Sequence, residues 1–343
     1  MTHPHTLAIA LSGGIDSLVS AYLLKQGGHT VFGIHFSTGF ETAAVDVARL
    51  GNMLGIPVHR VDLSASFQKF VVDYFVTTYL KAQTPNPCLI CNKTIKFHAL
   101  LQAAIALGAS RLATGHYARI EQTDKGCPVL LKGKDPLKDQ SYFLAMLTED
   151  QLRQAVFPLG EFTKDEVRTI ARKAGLEPLQ KKESQDICFL NDTSVSAFIE
   201  KVSGIAPCPG PIVTVQGETI GEHHGLHRFT IGQRRGIDCP GPEPYYVIAL
   251  DMGKNTLIVG TRSQMYRQET RVAGLAMMTY PLVEPVRVTT RIRYSHPGAK
   301  SLLSPVDDLN ALVTFDTPQP AVTPGQVAVF YQDDAVLGAG IIQ

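Results

Sequence analysis

The first third of the chain alternates short apolar runs with amphipathic segments. Apolar runs with the length of buried strands lie at residues 7–11, 31–36 and 58–63. Each is followed by a segment whose apolar residues have helical spacing, as Leu18, Tyr22 and Leu23 do before Gly27-Gly28. Repeated strand-helix units are typical of a parallel sheet with crossover helices. The pattern therefore predicts an α/β domain.

Proline interrupts this pattern at Thr84-Pro85-Asn86-Pro87. Two prolines around an asparagine favour an extended turn over a helix. We therefore expect Cys88 and Cys91 to lie in a loop, with the next helix at residues 95–107. Farther on, Thr163 is followed three positions later by Glu166, a capping-box signature that predicts a helix running to Lys173.

The composition and periodicity of the sequence change near Gly204, where prolines become frequent and long stretches of helical spacing end. From there to the carboxyl terminus, short β-like runs alternate with turns rich in Gly, Pro, Asn and Asp, which is typical of small barrels. We predict three domains: an ATP-binding and catalytic α/β domain at residues 1–203, a small β-rich domain at 204–265 and a β-barrel at 266–343.

Length and composition agree with a multidomain globular protein. The chain has 343 residues, more than one hydrophobic core usually serves, and it is 44% hydrophobic and 18% charged. The start of the chain carries no basic leader, and the apolar run at 7–11 is too short for a signal segment or a membrane span. We therefore expect a cytoplasmic protein with no membrane partner. The net charge of +1 means that any RNA contact must come from local basic patches.

A glycine-rich loop carries the strongest chemical signal. Ser12-Gly13-Gly14-Ile15-Asp16-Ser17 lies between the first predicted strand and the first predicted helix. Glycines permit a sharp turn, and the helix amino terminus presents N–H groups to phosphate oxygens. The Asp16 carboxylate could hold a phosphate-bound Mg²⁺. A plain strand-to-helix turn is the alternative, because Gly-Gly is common in turns. The GxxxxGK[ST] pattern of kinases and GTPases is absent from the sequence.

Six cysteines in a chain without a secretory leader favour thiol chemistry or metal binding over disulfides. Cys91 precedes a predicted helix that carries Lys93 and Lys96, so we expect the helix dipole and these cations to stabilise a thiolate. The alternative is a buried, unreactive thiol. Cys127, Cys208 and Cys239 lie in turn-like surroundings and are interpreted as incidental.

Several motifs, in order along the chain, resemble one enzyme family. The SGGIDS loop resembles that of the PP-loop ATP pyrophosphatases. Within that superfamily, the chain is similar to the tRNA-specific 2-thiouridylases at TPNPCLICNK (84–93), ATGHY (113–117), KDQSYF (138–143), DICF (186–189) and TIGQRRG (230–236). The similarity reaches the last predicted domain at Arg293-Tyr294 and at TPGQ (323–326). A nucleotide-binding module alone is therefore disfavoured.

The resemblance implies a reaction. Members of this family use ATP to adenylate the uracil oxygen at C2 of the wobble uridine in tRNA and then replace it with sulfur. By similarity, Cys188 would carry the sulfur as a persulfide and Cys91 would attack to free it. The implied partners are tRNA and a sulfur-donor protein, either a cysteine desulfurase or a sulfur relay, and the implied cofactors are ATP and Mg²⁺.

The resemblance also implies binding residues. For ATP they are Ala10, Leu11, Ser12, Gly13, Gly14, Ile15, Asp16, Ser17, Phe36 and Gly115. For the target base they are Asn86, Pro87 and Cys88. For the rest of the tRNA they are His116, Lys138, Asp139, Gln140, Arg293, Tyr294 and Gln326. Ordinary structural roles are the alternative for a single histidine such as His116 and for Phe36 at a strand end.

Cys88 differs from the sequence pattern of the family, because several members carry an acidic residue at this position. The resulting C-x-x-C offers a second mechanism, in which Cys88, Cys91 and Cys188 hold a [4Fe–4S] cluster with one open iron. Two further functions stay open: a different PP-loop enzyme acting on a small molecule, and a non-enzymatic tRNA-binding iron–sulfur protein. The first would not need Cys91, and the second would release no pyrophosphate.

Overall fold

The computed structural model describes residues 6–42, 44–179, 187–241 and 243–343. The chain divides into two compact units, each built from separate stretches of sequence. The first contains the described residues of 1–71, 88–191 and 334–337, and the second contains those of 72–87, 192–333 and 338–343. Each unit is therefore described by itself.

The helices, in chain order, are α1 (Ile15–Gln26), α2 (Val47–Leu54), α3 (Ser64–Phe67), α4 (Asp73–Leu80), α5 (Pro87–Cys91), α6 (Leu101–Ala106), α7 (Ser141–Leu144), α8 (Glu149–Arg153), α9 (Lys164–Lys173) and α10 (Val195–Ser203). Two π-helical segments, Gln68–Val72 and Asn92–Leu100, join neighbouring helices. Within the described ranges, no helix is long and apolar enough to cross a bilayer.

The strands, in chain order, are β1 (Thr6–Ala10), β2 (Thr30–Ser37), β3 (Val58–Asp62), β4 (Arg111–Ala113), β5 (Ala118–Gln122), β6 (Pro128–Lys132), β7 (Ala155–Val156), β8 (Gly210–Thr214), β9 (Thr219–His223), β10 (Tyr246–Asp251), β11 (Thr256–Gly260), β12 (Tyr266–Met277), β13 (Val286–Arg291), β14 (Ala299–Pro305), β15 (Asn310–Pro320), β16 (Val327–Gln332) and β17 (Ala335–Ile342).

A five-stranded parallel sheet forms the centre of the first unit. Its strand order is β3-β2-β1-β4-β7, and Ala8 of β1 pairs with Phe32 on one side and Leu112 on the other. Strand β1 is the middle strand, and Leu7, Ala8 and Ile9 are almost fully buried, which explains its unbroken apolar sequence. The predicted α/β fold is confirmed.

The strand order fixes where a ligand can bind. From β1 the chain runs outward to β2 and β3 on one side, and later to β4 and β7 on the other. Crevices of open α/β sheets form at such a switch point, outside the carboxyl ends of the two central strands. The loop after β1 carries Ser12 to Gly14, and the loop after β4 carries Thr114 to His116. These two loops are therefore the expected walls of a ligand site.

The cysteine pair does not lie in a loop, so that prediction was wrong. Helix α5 begins at Pro87 and contains both Cys88 and Cys91, and it continues into the π-helical segment Asn92–Leu100. Proline is tolerated in the first helical turn because its missing N–H would have no partner there. The extended turn therefore ends at Asn86. By contrast, the predicted capping box of α9 is confirmed, with the Thr163 side chain accepting from the Glu166 N–H.

The second unit contains two β structures. Strands β10-β11-β8-β9 form a small sheet around Ile212, Val247 and Leu257. Strands β12-β15-β14-β13-β16-β17 form a six-stranded antiparallel barrel, which closes where Val272 of β12 pairs with Ile342 of β17. The prediction of small β-rich domains ending in a barrel is confirmed.

Candidate functional site

The Ser12–Ser17 loop has the geometry of a phosphate cradle. Gly13 has φ +83°, which favours glycine, and Gly14 is the N-cap of α1. The Ser12 hydroxyl accepts from the Gly14 N–H at 3.3 Å, and the Ser17 hydroxyl donates to the Gly14 carbonyl at 2.8 Å. Because a glycine cannot cap α1 with a side chain, the first N–H groups of this helix are available to an anion.

Asp16 is held by two groups that sequence reasoning missed. The Lys164 ammonium lies 2.8 Å from both carboxylate oxygens, and the Tyr117 hydroxyl donates to Oδ1 at 2.7 Å. The Lys164 side chain is only 6% exposed and that of Asp16 is 32% exposed. Lys164 is the first residue of α9, and its N–H donates to Asp135 at 2.9 Å. A lysine in a first helical turn opposes the helix dipole, and that anomaly was the available signal.

This pairing changes the expectation for Mg²⁺. A carboxylate that already accepts from an ammonium and a phenol does not offer a free oxygen to a cation. The Asp16 geometry therefore does not fit a magnesium ligand, because Lys164 would first have to leave. No reaction step is assigned to a metal here.

Gly115 connects the loop after β4 to the phosphate cradle. A Cβ built on Gly115 would lie 3.0 Å from the Asp16 carbonyl carbon and 3.1 Å from the Ser17 nitrogen. The absence of a side chain therefore permits the close approach of the two loops. Of the other residues expected at the nucleotide, Leu11 is buried, Ala10 and Ile15 are partly buried, and Phe36 is partly buried at the end of β2, paired with Val61.

Replacing Gly115 with alanine is expected to push the β4 loop away from α1. The added methyl group meets backbone atoms, which cannot rotate away, so we expect a loss of about 1–3 kcal/mol of stability and weaker ATP binding. Thermal unfolding with and without ATP measures both effects. Gly253→Ala is the matched control, because a Cβ there meets only the Asp251 side chain at 3.5 Å. Equal behaviour of the two variants would contradict the proposed contact.

His116 follows Gly115 and is buried. Its Nδ1 lies 2.7 Å from the Thr114 hydroxyl, and its Nε2 lies 3.5 Å from the Lys96 ammonium. The rings of Phe97 and Phe157 pack against the imidazole at centroid distances of 6.3 and 6.0 Å. Burial, with a further contribution from Lys96, holds the pKa of His116 well below its ordinary value. The imidazole is thus neutral and largely enclosed, and its contact with tRNA stays a prediction.

The three predicted thiols belong to the first unit and influence one another electrostatically. Cys88 and Cys91 lie on α5, while Cys188 comes from a distant segment. The neighbouring Phe189 holds that segment by packing against Phe40 and Phe67 at centroid distances of 6.0 and 5.8 Å. Residue 186 of the same motif lies outside the described residues.

The expected Cys91 thiolate is not supported. Burial raises the pKa of Cys91 to about 12 and that of Cys88 to about 11, and it also raises the pKa of Cys188. Lys96 opposes the shift at all three thiols, but desolvation is the largest cause in each case. Cys88 and Cys188 retain exposed surface, so desolvation is strongest at Cys91, which is only partly exposed. Moreover, the helix begins at Pro87 and continues past Cys91 into Asn92–Leu100, so Cys91 does not lie at a helix amino terminus and the expected helix-dipole effect is lost.

Three residues expected to contact tRNA, Lys138, Asp139 and Gln140, lie in the loop between β6 and α7 (residues 133–140), which we call the braced loop. Asp139 is 5% exposed, and its carboxylate accepts from the N–H groups of Gly133 and Ser141 at 3.2 and 3.0 Å. The Gln140 side chain accepts from the Tyr117 N–H at 3.0 Å. Lys138 is partly exposed, and Leu137 beside it is 88% exposed. Asp139 and Gln140 therefore shape the loop, and its tip presents an apolar and a basic side chain.

In the second unit, Gln326 supports the segment that precedes the cysteine helix. Its amide donates to the carbonyl oxygens of Thr84 and Pro85 at 3.2 and 3.3 Å. The Thr84 hydroxyl also donates to the Thr230 hydroxyl at 3.2 Å. Three motifs that are far apart in sequence therefore meet at Thr84. The backbone of Asn86, a residue expected at the target base, forms a hydrogen bond with the Tyr74 side chain.

The basic residues of the second unit differ in their roles. Arg234 and Arg235 are exposed, on a turn shaped by the Gln233 amide, which donates to the Arg235 carbonyl at 2.9 Å. Arg293 and Tyr294 are partly exposed in the turn after β13. Other basic side chains of the chain form ion pairs within their own units: Lys132 with Asp334, Lys134 with Glu166, Arg228 with Glu200 and Arg287 with Asp316.

The iron–sulfur alternative finds no support in the geometry. Among the described residues, which include Cys88, Cys91 and Cys188, no group of three or more His, Cys, Asp or Glu side chains is arranged to hold a metal ion. A cluster needs three thiols that converge on one position, and the described residues do not form such a set.

Comparisons with known proteins cover nearly the whole chain. Family models match residues 5–192 (tRNA methyl transferase HUP domain), 196–261 (tRNA methyl transferase PRC-barrel domain) and 267–342 (aminomethyltransferase beta-barrel domain). A curated relative from Desulfosudis oleivorans, named tRNA-specific 2-thiouridylase MnmA, is 49% identical over 98% of this chain and 94% of its own length.

Two further relatives carry the same name. One from Syntrophotalea carbinolica is 45% identical, covering 98% of each chain. One from Trichlorobacter lovleyi is 43% identical over 98% of this chain and 97% of its own length. Similarity of this extent and level confirms the family suggested by the motifs, and the chain therefore belongs to the tRNA-specific 2-thiouridylase family of sulfur-transferring enzymes.

Proposed function

We propose that this protein replaces the C2 oxygen of the wobble uridine in tRNA with sulfur, using ATP to activate the oxygen and a Cys188 persulfide to deliver the sulfur. Cys91 then completes the transfer. The family membership of the chain supports the overall reaction. The assignment of roles to individual residues is our proposal, and the geometry of the first unit supports it.

One observation supports the proposal most directly: the phosphate cradle and the thiols belong to the same compact unit, and a series of contacts leads from the cradle to Lys96. Gly115 lies against Asp16 and Ser17, and its neighbour His116 lies 3.5 Å from Lys96. Lys96 in turn acts electrostatically on Cys88, Cys91 and Cys188. A nucleotide on the cradle and a sulfur on Cys188 are proposed to act on one substrate base.

ATP makes the uracil oxygen replaceable. A carbonyl oxygen of a pyrimidine ring is a poor leaving group, and transfer of the adenylyl group to it makes AMP the leaving group. The N–H groups at the start of α1 would hold the phosphates, while Gly13 and Gly14 let the chain approach them closely. Tyr117 and Lys164 keep Asp16, and with it the first turn of α1, in position.

Sulfur then arrives in two steps. The terminal sulfur of the Cys188 persulfide attacks C2, and the C2–O bond breaks with its electron pair leaving on AMP. The Cys91 thiolate next attacks Cys188 Sγ, so that the new sulfur stays on C2 as thiocarbonyl. Positioning accounts for up to about 7–11 kcal/mol of barrier reduction in favourable cases. A disulfide between Cys91 and Cys188 remains, and a cellular dithiol must reduce it before the next turnover.

The partners follow from this chemistry. The persulfide requires a sulfur-donor protein, and the exposed surface of Cys188 is consistent with loading from outside. For tRNA, the tip of the braced loop at Leu137 and Lys138 and the exposed Arg234 and Arg235 are the proposed contacts. We keep the division at 1–203, 204–265 and 266–343, with the last domain contacting tRNA through Arg293 and Tyr294.

The proposal is tested by mixing the persulfide-loaded protein with ATP and unmodified tRNA. We expect pyrophosphate release that depends on tRNA, together with 2-thiouridine detected by mass spectrometry of the digested tRNA, in equal amounts. Pyrophosphate release that ignores tRNA would favour a small-molecule substrate. Binding of tRNA without pyrophosphate release would favour a non-enzymatic protein, and methylated uridine would favour the activity named in the family-model descriptions.

A further inference from the structure

The helix that carries Cys91 and Lys96 changes its backbone geometry between them. It lies five positions after Cys91, on the π-helical segment Asn92–Leu100. In an α-helix, residues five apart point in clearly different directions, whereas a π-helical turn joins residues five apart. Such turns are frequent at functional sites. A π-helical turn therefore brings Lys96 nearer to the Cys91 side of the helix than an α-helical turn would.

His116 fixes the direction of the Lys96 ammonium. An ammonium only donates hydrogen bonds, so His116 Nε2, 3.5 Å away, is the acceptor. The proton of the neutral ring is then on Nδ1, which donates to the Thr114 hydroxyl at 2.7 Å. The aromatic rings of Phe97 and Phe157 keep water from this imidazole. Burial lowers the pKa of His116, so the ring stays an acceptor at neutral pH.

The charged and titratable groups around the thiols differ in their effect on the thiol pKa values. Among the described residues, Lys96 lowers the pKa of each of the three thiols. Negative charge on the other thiols raises the pKa of Cys88 and Cys91, and Glu41 raises that of Cys188. Lys93, on the same segment, is not among the groups that shift the pKa values of these thiols.

We propose that Lys96 stabilises the sulfur anions formed during sulfur transfer, and that His116 is a positioning residue that holds the Lys96 ammonium toward the thiols. This inference rests on the proposed function, since it assigns a cation to the sulfur-transfer half of that reaction. It also gives His116 a role other than contact with tRNA.

The step that needs this cation conserves atoms and electrons. The Cys91 thiol loses its proton, and its sulfur forms a bond to Cys188 Sγ. The bond between Cys188 Sγ and the sulfur on C2 breaks, its electron pair stays with the departing sulfur, and N3 of the uracil gains a proton. Negative charge therefore passes from Cys91 to the new thiocarbonyl sulfur. Lys96 keeps its proton and opposes the desolvation cost of both anions.

The first test measures thiol reactivity without ATP or tRNA. The full chain is treated with iodoacetamide across a pH series, and alkylation of Cys91 is followed by mass spectrometry of its peptide. Lys96→Met should slow alkylation up to about tenfold at a fixed alkaline pH and shift its pH profile upward, because a lost cation raises the thiol pKa. Lys93→Met should change the rate by less than about twofold, and Lys96→Arg should restore most of it.

A second variant examines His116. His116→Leu removes the acceptor and keeps the apolar contacts with Phe97 and Phe157, so it should shift the Cys91 profile in the same direction as Lys96→Met. His116→Gln, which can still accept a hydrogen bond, should shift it less. A purely structural role would lower the melting temperature without moving the pH profile. An unchanged profile in both Lys96→Met and His116→Leu would overturn the inference, as would an equal shift in Lys93→Met.

Turnover assays separate this inference from the proposed function. Lys96→Met should retain tRNA-dependent pyrophosphate release and lose about tenfold or more of the rate of 2-thiouridine formation. If the unaltered protein forms no 2-thiouridine, the proposed function fails whatever the alkylation result. If the unaltered protein forms it and Lys96→Met does so at the same rate, only the role of Lys96 is refuted.

Discussion

Replacing Cys188 with serine is expected to abolish formation of 2-thiouridine while leaving tRNA-dependent pyrophosphate release in place. A serine hydroxyl cannot carry sulfur as a persulfide, and the phosphate cradle lies on other elements, β1 and α1. Loss of a covalent carrier should lower the rate of sulfur transfer by more than about a thousandfold. Pyrophosphate and thiolated nucleoside are measured in the same reaction.

Cys91→Ser should have a related but distinguishable outcome. Sulfur can still reach C2 from the Cys188 persulfide, so the tRNA should become trapped as a covalent adduct that dithiothreitol releases. Cys127→Ser is the control, because Cys127 is partly exposed in the turn between β5 and β6 and acts on none of the three thiols. Normal turnover of Cys91→Ser would show that this thiol is not part of the reaction.

Asp16→Ala is expected to destabilise the first unit by about 3 kcal/mol, because it leaves the buried Lys164 ammonium without its carboxylate. Lys164→Met should cost much less, about 1 kcal/mol or below, since the remaining carboxylate is a third exposed and keeps part of its hydration. Both variants should lose ATP-dependent activity. The chain has no tryptophan, so denaturation is followed by circular dichroism.

The order of these two costs is the informative result. If Lys164→Met destabilises the protein as much as Asp16→Ala does, the deeper burial of Lys164 does not determine the cost of breaking the ion pair. Asp165→Ala is the control for helix α9, because the ion pair of Asp165 with Arg168 is exposed and should contribute little.

Sequence patterns predicted the fold well where periodicity was unbroken. Strand β1 is central and buried on both faces, so its apolar run could only be a strand of a parallel sheet. The capping box at Thr163 was equally local and was confirmed. The cysteine helix was missed because proline was interpreted as a breaker, although Pro87 occupies a helix start, where it is tolerated.

The parts of the site that sequence could not predict depend on contacts between distant residues. Nothing local indicates that Lys164 reaches Asp16, or that Gln326 and Thr230 bind the Thr84 segment. The charge state of Cys91 was also misjudged, because flanking lysines are visible in a sequence whereas burial is not. Asp139 shows a related limit, since its hydrogen bonds to the N–H groups of Gly133 and Ser141 could not be predicted from the motif.

The central claim is that Cys91 and Cys188 act as a pair on one adenylated base. Mass spectrometry of the unaltered protein, persulfide-loaded and quenched with an alkylating agent after a single turnover, tests it most directly. The account predicts a disulfide-linked peptide joining Cys91 to Cys188, in an amount equal to the 2-thiouridine formed. Full yield of 2-thiouridine with both cysteines recovered as alkylated thiols would contradict it.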